Sequence, residues 1–330
     1  MIFLICGLGL IGRQRLQAVL DSGKADEIYV YDPNLSQLPQ GLIGLVKKIE
    51  EIPKPNDIQL THVVISTPHD QILEILKKIE SHKPRILLEK PMGRNLLEAE
   101  KVRNYSTKSD ITIGFNYRFM VGIEKLKAVL DQNELGEINS IRLDLGHGGS
   151  PTDFTSWKLN KELAGGGSLL DPGIHLIDLI LHLSEKSVNL VEIDGVNYWS
   201  GFWKTGIEES SMVLGKIDKI PFIIISSIVA WRTRFTIEVI GTKGYAIVKG
   251  RGRSDGPQTF TIGRRWGWQD SKSQLESEQT TVAMESDTSI TNETIAWINK
   301  SQKVSSAQNA LETMKFYQVI LTKRNPDELR

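Results

Sequence analysis

The stretch Ile2-Phe3-Leu4-Ile5-Cys6-Gly7-Leu8-Gly9-Leu10-Ile11-Gly12 decides how the N-terminal part of this chain folds. Five consecutive apolar residues make a short strand of the kind that a parallel sheet buries on both faces. They run directly into a G-x-G-x-x-G, after which Leu16, Val19 and Leu20 keep helical spacing. Each glycine has a physical reason: Gly7 permits the tight turn, Gly9 lets the backbone approach a pyrophosphate, and Gly12 allows helix and strand to pack closely. Leu8, Leu10 and Ile11 complete the turn, and the helix that follows offers unpaired N–H groups and a favourable dipole to an anion. Asp32 stands twenty positions beyond Gly12 at the end of the next strand-like run. That combination reads as a dinucleotide site. A carboxylate at Asp32 accepts from adenosine ribose hydroxyls and repels a 2′-phosphate, and the following Pro33-Asn34 brings no arginine to pair one. NAD is therefore expected in preference to NADP.

Working outward, short apolar runs at 28–31, 62–66, 86–88 and 111–115 alternate with helical patterns at 72–79 and 95–105. Such alternation predicts a doubly wound α/β unit, assigned to residues 1–120. Beyond it the pattern changes. A helix is expected over 169–183, followed by strands at 188–198, 210–217, 222–231, 235–240 and 245–248. Short connections such as 241–244 suit hairpins and so an antiparallel sheet. Residues 250–288, rich in Gly, Ser, Arg and Gln, read as irregular surface, and helices return at 291–300 and 306–323. The fold class expected is an α/β Rossmann domain followed by an α+β domain, residues 121–330, with an open antiparallel sheet.

Composition narrows the function. Among 330 residues, 40 basic and 40 acidic side chains cancel, which argues against nucleic acid, where a basic stripe is the usual footprint. The single cysteine, Cys6, excludes an intrachain disulfide and a cysteine-rich metal site, and a reducing cytoplasm is the expected setting. The apolar N-terminus lacks a basic n-region and a small-residue cleavage site, so it does not read as a signal peptide. No apolar run approaches the roughly 20 residues of a membrane span.

Two further places carry chemistry. Glu89-Lys90-Pro91 follows a strand, where open α/β sheets place their ligands, and a lysine there can steady an alkoxide. In the stretch 165–183, Asp171, His175, Asp178 and His182 fall within an arc of about 60° on a helix that is otherwise nearly all apolar. A narrow polar stripe on a buried helix is costly unless satisfied. Asp171-Pro172 also suits an N-cap and first helical position, and His182, near the helix end, reads as a surface or helix-C-terminal histidine. No third histidine or cysteine lies near enough for zinc, and no metal is expected.

Taken together, Gly7–Gly12, Ser66-Thr67-Pro68, Glu89-Lys90-Pro91, Gly114-Phe115-Asn116-Tyr117-Arg118, the 165–178 block and the run from Ile237 to Gly244 resemble the Gfo/Idh/MocA family of NAD(P)-dependent oxidoreductases over almost the whole chain. The resemblance implies hydride transfer between a nicotinamide and a secondary alcohol or ketone of a sugar, cyclitol or nucleotide sugar. It implies Lys90, Asp171 and His175 as catalytic residues, with His175 as acid/base. Ser66, Thr67, Pro68, Glu89, Lys90 and Asn116 would line the cofactor, and a homodimer or homotetramer would form through the open sheet. Arg118, His147, Trp157 and Lys158 are candidate substrate contacts, and Arg251, Arg253, Arg264 and Arg265 could serve a phosphorylated substrate, although a solvated loop suits them better. The chain departs from the family pattern in having His69 directly after Thr-Pro, and His82-Lys83-Pro84-Arg85 before the E-K-P strand. The alternative reading is a non-catalytic NAD-binding regulator of the same fold.

Overall fold

The computed structural model describes residues 1–148, 157–264 and 278–323, and divides the chain into two compact units. The first comprises 1–116, 162–165 and 290–314. Its strands β1 (Ile2–Cys6), β2 (Glu27–Tyr31), β3 (Lys47–Ile49), β4 (His62–Ile65), β5 (Arg85–Glu89) and β6 (Ile111–Gly114) form one parallel sheet in the order β6-β5-β4-β1-β2-β3. A two-residue antiparallel strand, Ser305–Ser306, extends it beside β6. The order reverses between β1 and β4, and at such a switch point a doubly wound sheet opens the crevice that takes its ligand. Phe3, Ile5, Leu16, Val19, Val30, Val64 and Leu87 pack as one apolar core.

The second unit comprises 117–161, 166–289 and 315–330. It is built on eight strands: β7 (Ile138–Gly146), β8 (Val191–Trp199), β9 (Ser210–Ile217), β10 (Ile220–Ser227), β11 (Arg234–Gly241), β12 (Gly244–Lys249), β13 (Gln258–Arg264) and β14 (Glu278–Met284). Their order is β14-β13-β12-β11-β7-β10-β9-β8. Every pairing is antiparallel except β7 with β10, which is parallel. The helices Val121–Asp131 and Ile174–Ser184 cover one face, the latter against β7. On β9 the alternation is plain, with Ser211, Val213, Gly215 and Ile217 buried and Met212 and Leu214 exposed.

The structure corrects the sequence reading in four places. The 250–288 segment is not wholly irregular, since β13 and β14 lie within it. The 138–146 strand, unmarked by the sequence, is central to the second sheet. The helix expected over 169–183 begins only at Ile174 and is capped by Gly173, so Asp171 precedes it in a turn with a cis bond to Pro172 and neither residue plays the capping part foreseen. His182 is half-buried rather than a surface histidine.

Two histidines, His62 buried and His182 half-buried, stand where protonation is costly. His62 in β4 stacks on Phe3 at 4.9 Å and meets Trp297 edge-on at 5.4 Å. Burial, with Arg85 nearby, lowers its pKa to about 4. Burial and the Arg118 guanidinium take His182 down to about 4 as well. Above the unfolded value near 6.5 both are neutral whether folded or not. Between 6.5 and 4 the unfolded chain binds protons that the folded chain refuses, so stability falls with falling pH by up to about 1.4 kcal/mol per pH unit for each histidine. We expect His62→Phe to lose less stability than the parent between pH 7 and pH 5. Urea midpoints at the two pH values check this, and equal losses would contradict it.

Candidate functional site

In the first unit the glycine turn has the form that a dinucleotide needs. Gly7 has φ +85°, and a Cβ there would lie 2.6 Å from the Ser66 carbonyl oxygen. At Gly12 a Cβ would meet the Gly7 oxygen at 2.0 Å, so helix and strand can approach this closely only without a side chain. Gly9 begins the helix Leu10–Asp21, whose first turn has no side-chain cap and no acidic residue. The backbone at Gly9 is open, with nothing within 4 Å of where a Cβ would be. Asp32 is drawn to the turn from the end of β2: Oδ2 accepts from Leu8 N at 2.8 Å and Oδ1 from Asn34 N at 3.0 Å. A carboxylate has about four lone-pair sites, so each oxygen can accept another donor such as a ribose hydroxyl. Across the switch point Ser66 Oγ donates to the Gly7 carbonyl at 3.0 Å, and Thr67 Oγ1 is buried with no hydrogen-bond partner among the described residues. An open anion-facing helix end, a carboxylate with spare acceptor sites and an orphaned buried hydroxyl fit a bound dinucleotide.

Glu89 and Lys90 end β5 and open the turn after it, with a cis bond to Pro91. The carboxylate of Glu89 accepts from Arg15 Nε at 2.7 Å. Arg15 is fully buried and also donates to Glu293 Oε2 at 2.5 Å, to Thr294 Oγ1 at 2.9 Å and to the Ile290 carbonyl at 3.0 Å. Burial works against its charge, but the two carboxylates outweigh it and its pKa stands above the ordinary value. Glu89 thus holds the fold beside Lys90. His69 is buried too, its Nδ1 within 2.8 Å of the Ala164 carbonyl oxygen. Asn116 is buried at the end of this unit's first segment.

The second unit holds a cleft lined by His147, Lys158, Leu159, Gly167, Asp171, Trp203, Ile207 and Ile228. Lys158 Nζ pairs with Asp171 Oδ2 at 2.9 Å and lies 5.9 Å from the Trp157 ring centroid. His147 and Lys158 therefore line the cleft together with Asp171, and Trp157 stands beside Lys158. On the helix Ile174–Ser184, His175 is buried and stacks face to face on Tyr117, with centroids 3.9 Å apart and planes at 5°. The Tyr117 hydroxyl accepts from Arg251 Nη1 at 3.0 Å. Arg118 clamps Asp178 with two hydrogen bonds, at 2.7 and 2.6 Å, so it fixes the helix that carries His175. Arg253 pairs with Asp287 at 2.6 Å and Arg264 with Glu134 at 2.5 Å. With Arg251 on Tyr117, these arginines are taken up within the protein; Arg265 lies outside the described residues.

Sequence reasoning missed several residues here. Glu209, fully buried, accepts from three successive backbone amides, Gly201 N at 3.0 Å, Phe202 N at 2.8 Å and Trp203 N at 2.6 Å. Glu208, also buried, accepts from Gly167 N at 2.8 Å. Two adjacent carboxylates at the start of a strand were the available signal, because alternation cannot turn both of them to solvent. Arg15 announced itself only by sharing the apolar face of Leu16 and Val19. Among the described residues no group of three or more His, Cys, Asp or Glu is placed to hold a metal, and no helix is long and apolar enough to cross a membrane.

Two family models match this chain: the NAD-binding Rossmann fold of an oxidoreductase family over residues 1–117 and the GFO/IDH/MocA C-terminal domain over residues 123–247. The chain belongs to the Gfo/Idh/MocA family. Glucose-6-phosphate 3-dehydrogenase of Bacillus subtilis is 30% identical over 188 residues, which are 55% of this chain and 53% of that protein. Inositol 2-dehydrogenase of Rhizobium meliloti is 27% identical over 185 residues, 54% of this chain and 53% of that one. The chain thus aligns with about half the length of these curated relatives. A levoglucosan dehydrogenase solved with NADH and levoglucosan superposes with a TM-score of 0.78 at 15% identity, covering 98% of this chain and 96% of that one. A 3-ketoreductase from Actinomadura kijaniata, solved with NADP, gives 0.77 at 14% identity, covering 98% and 97%. At such identities the likeness is one of fold.

Proposed function

We propose that the protein is an NAD-dependent oxidoreductase acting on a secondary alcohol or ketone of a sugar, cyclitol or nucleotide sugar. The observation that carries the reading is the open glycine turn at the switch point of a Rossmann sheet, with the Asp32 carboxylate bonded to its backbone. The dehydrogenases among its relatives support the substrate class. Gly7, Leu8, Gly9, Leu10, Ile11 and Gly12 hold the pyrophosphate, Asp32 the adenosine ribose, and Ser66, Thr67, Pro68, Lys90 and Asn116 the rest of the cofactor. When bound, the nicotinamide supplies the hydride acceptor or donor. Lys90 steadies negative charge on the reacting oxygen, and His175, whose neutral ring can accept a proton, takes the hydroxyl proton during oxidation and returns it during reduction. Asp171 orients the substrate from the cleft wall, sharing Lys158 with it.

Association through the open sheet is part of the same proposal. Met212 and Leu214 on β9 are exposed and lie opposite Ile225 and Ile223 on β10. Beyond these the register brings Asp144 and Arg142 of β7, then Thr236 and Glu238 of β11. An apolar patch bordered by opposite charges suits a second copy of the same surface. We expect a solution mass that is a multiple of 37.0 kDa at micromolar concentration, and a strictly monomeric mass by light scattering would refute it.

Asp32→Ala should weaken NAD and relieve repulsion of NADP, narrowing the preference between them. Equal affinities in the parent protein, measured by titration, would count against the assignment. Lys90→Met and His175→Ala should leave NAD affinity near that of the parent. Turnover should fall by about 10²–10³-fold for the lysine, as for loss of a preorganised electrostatic partner, and by about 10²–10⁴-fold for the general base. Their effects should be far from additive in the double variant if they serve one oxygen. A screen of inositols, aldoses and nucleotide sugars for NADH formation supplies the substrate. Near-parental turnover in either single variant would overturn the mechanism, and NAD binding without turnover of any alcohol or ketone would favour the regulator.

A further inference from the structure

Two aromatic side chains stand at the surface of the second unit beside the cleft. Trp231 is 85% exposed and Phe202 is 47% exposed. Their rings meet edge to face, with centroids 6.0 Å apart and planes at 84°. Phe202 also meets Trp203 edge-on at 4.9 Å, and Trp203 lines the cleft. An aromatic surface therefore begins in the cleft and continues outward through Phe202 to Trp231.

One hydrogen-bonded frame carries both parts of this surface. The Glu209 carboxylate holds the amides of Gly201, Phe202 and Trp203, and its own carbonyl accepts from Ile228 N at 2.9 Å. His147 N donates to the Ser227 carbonyl at 3.0 Å, and Ala230 N donates to the His147 carbonyl at 2.9 Å. The cleft residues His147, Trp203 and Ile228 are thus fixed to the segments that present Phe202 and Trp231. Trp231 itself sits at φ +53°, in the left-handed region that a bulky side chain rarely adopts. A large ring held in a costly backbone conformation and left in water gains little from folding. Such features point to a surface kept for contact with something else.

The chemistry of the cleft narrows what that contact is. Among the described lining residues Lys158 is the one lysine or arginine, and it is paired with Asp171. Leu159, Trp203, Ile207 and Ile228 pack together as the apolar part of the lining. The combination suits an uncharged molecule with hydroxyls on one side and an apolar face on the other, and offers little to a phosphate.

We propose that Phe202 and Trp231 form an outer subsite that receives a second, uncharged ring of a glycosidic substrate, while the cleft holds the ring that reacts. The proposal rests on the oxidoreductase reading above and names the substrate class for it. The second ring is a pyranose or an aryl aglycone; both offer the flat apolar face that an aromatic platform requires.

The test is calorimetric titration of the full chain with methyl glucoside as the one-ring probe, against cellobiose, maltose and 4-nitrophenyl glucoside as two-ring probes. At least one two-ring probe should bind more tightly than methyl glucoside. Trp231→Ala should weaken that probe by about 3- to 10-fold, the loss of one ring contact, and Trp231→Phe should retain most of the affinity. Whether the disaccharides or the nitrophenyl glycoside respond decides the kind of second ring. Because Trp231 is exposed, its truncation removes little packing, and it serves as the control if Phe202→Ala disturbs the loop. The proposal is overturned if no two-ring probe exceeds methyl glucoside, if both truncations leave the preference intact, or if Trp231→Ala instead dissociates an oligomer, which would make the surface a subunit contact. A preference for two rings without turnover of any alcohol or ketone would leave the subsite standing and remove the oxidoreductase reading. Turnover without that preference would remove the subsite alone.

Discussion

A guanidinium sealed from water, that of Arg15, is the constraint around which the first unit is arranged. Taking a charge out of water costs several kcal/mol unless it is paired and fully hydrogen-bonded. Arg15 meets that cost with two carboxylates, a hydroxyl and a backbone carbonyl. Arg15 stands on the helix leaving the glycine turn, and its partners come from two places: β5 ends in Glu89, and the helix Ser289–Ile298 brings Ile290, Glu293 and Thr294. The pairing fixes where β5 ends, and so where Lys90 begins. Even Gly114 is dictated by it, since a Cβ there would fall 2.8 Å from an Arg15 nitrogen and 3.1 Å from a Glu89 oxygen. Removing one member of such a cluster leaves an uncompensated buried charge, typically at a cost of about 3–5 kcal/mol.

The second unit buries carboxyl groups in a complementary way. The side chains of Glu208 and Glu209 accept from backbone N–H groups. They order a loop that has no regular secondary structure of its own and give the cleft a wall with a fixed shape. The stack of His175 on Tyr117 and the clamp of Arg118 on Asp178 do the same for the helix side. The candidate side chains of this unit stand on elements that are held at more than one point.

What the sequence made legible was local. The glycine turn, Asp32 and the alternation of strand and helix before residue 116 depend on neighbours within a few tens of residues, and five of the six parallel strands were marked by it; β3, only three residues long and none of them buried, was not. Asp171 was misplaced on a helix because the polar spacing of His175, Asp178 and His182 extends back to it across Pro172-Gly173, although the helix begins only at Ile174. Strands β13 and β14 were missed because Gln, Thr and Glu dominate them; β14 is an edge strand with its residues mostly exposed, so no apolar alternation marks it. Arg15 was unreadable for a different reason. A buried charge is recognisable only from its partner, and for Arg15 one partner is Glu293.

That separation also sets an order in time. Arg15 and Glu293 are 278 positions apart along the chain. At about 5–20 residues per second a ribosome needs roughly 15–55 s to travel that distance. Throughout that interval the nascent Rossmann sheet contains a cation whose final counter-charge has not yet been made. The first unit can collapse early, but it cannot lock until the segment that carries Glu293 emerges, so the helix leaving the glycine turn is anchored by residues made long after it.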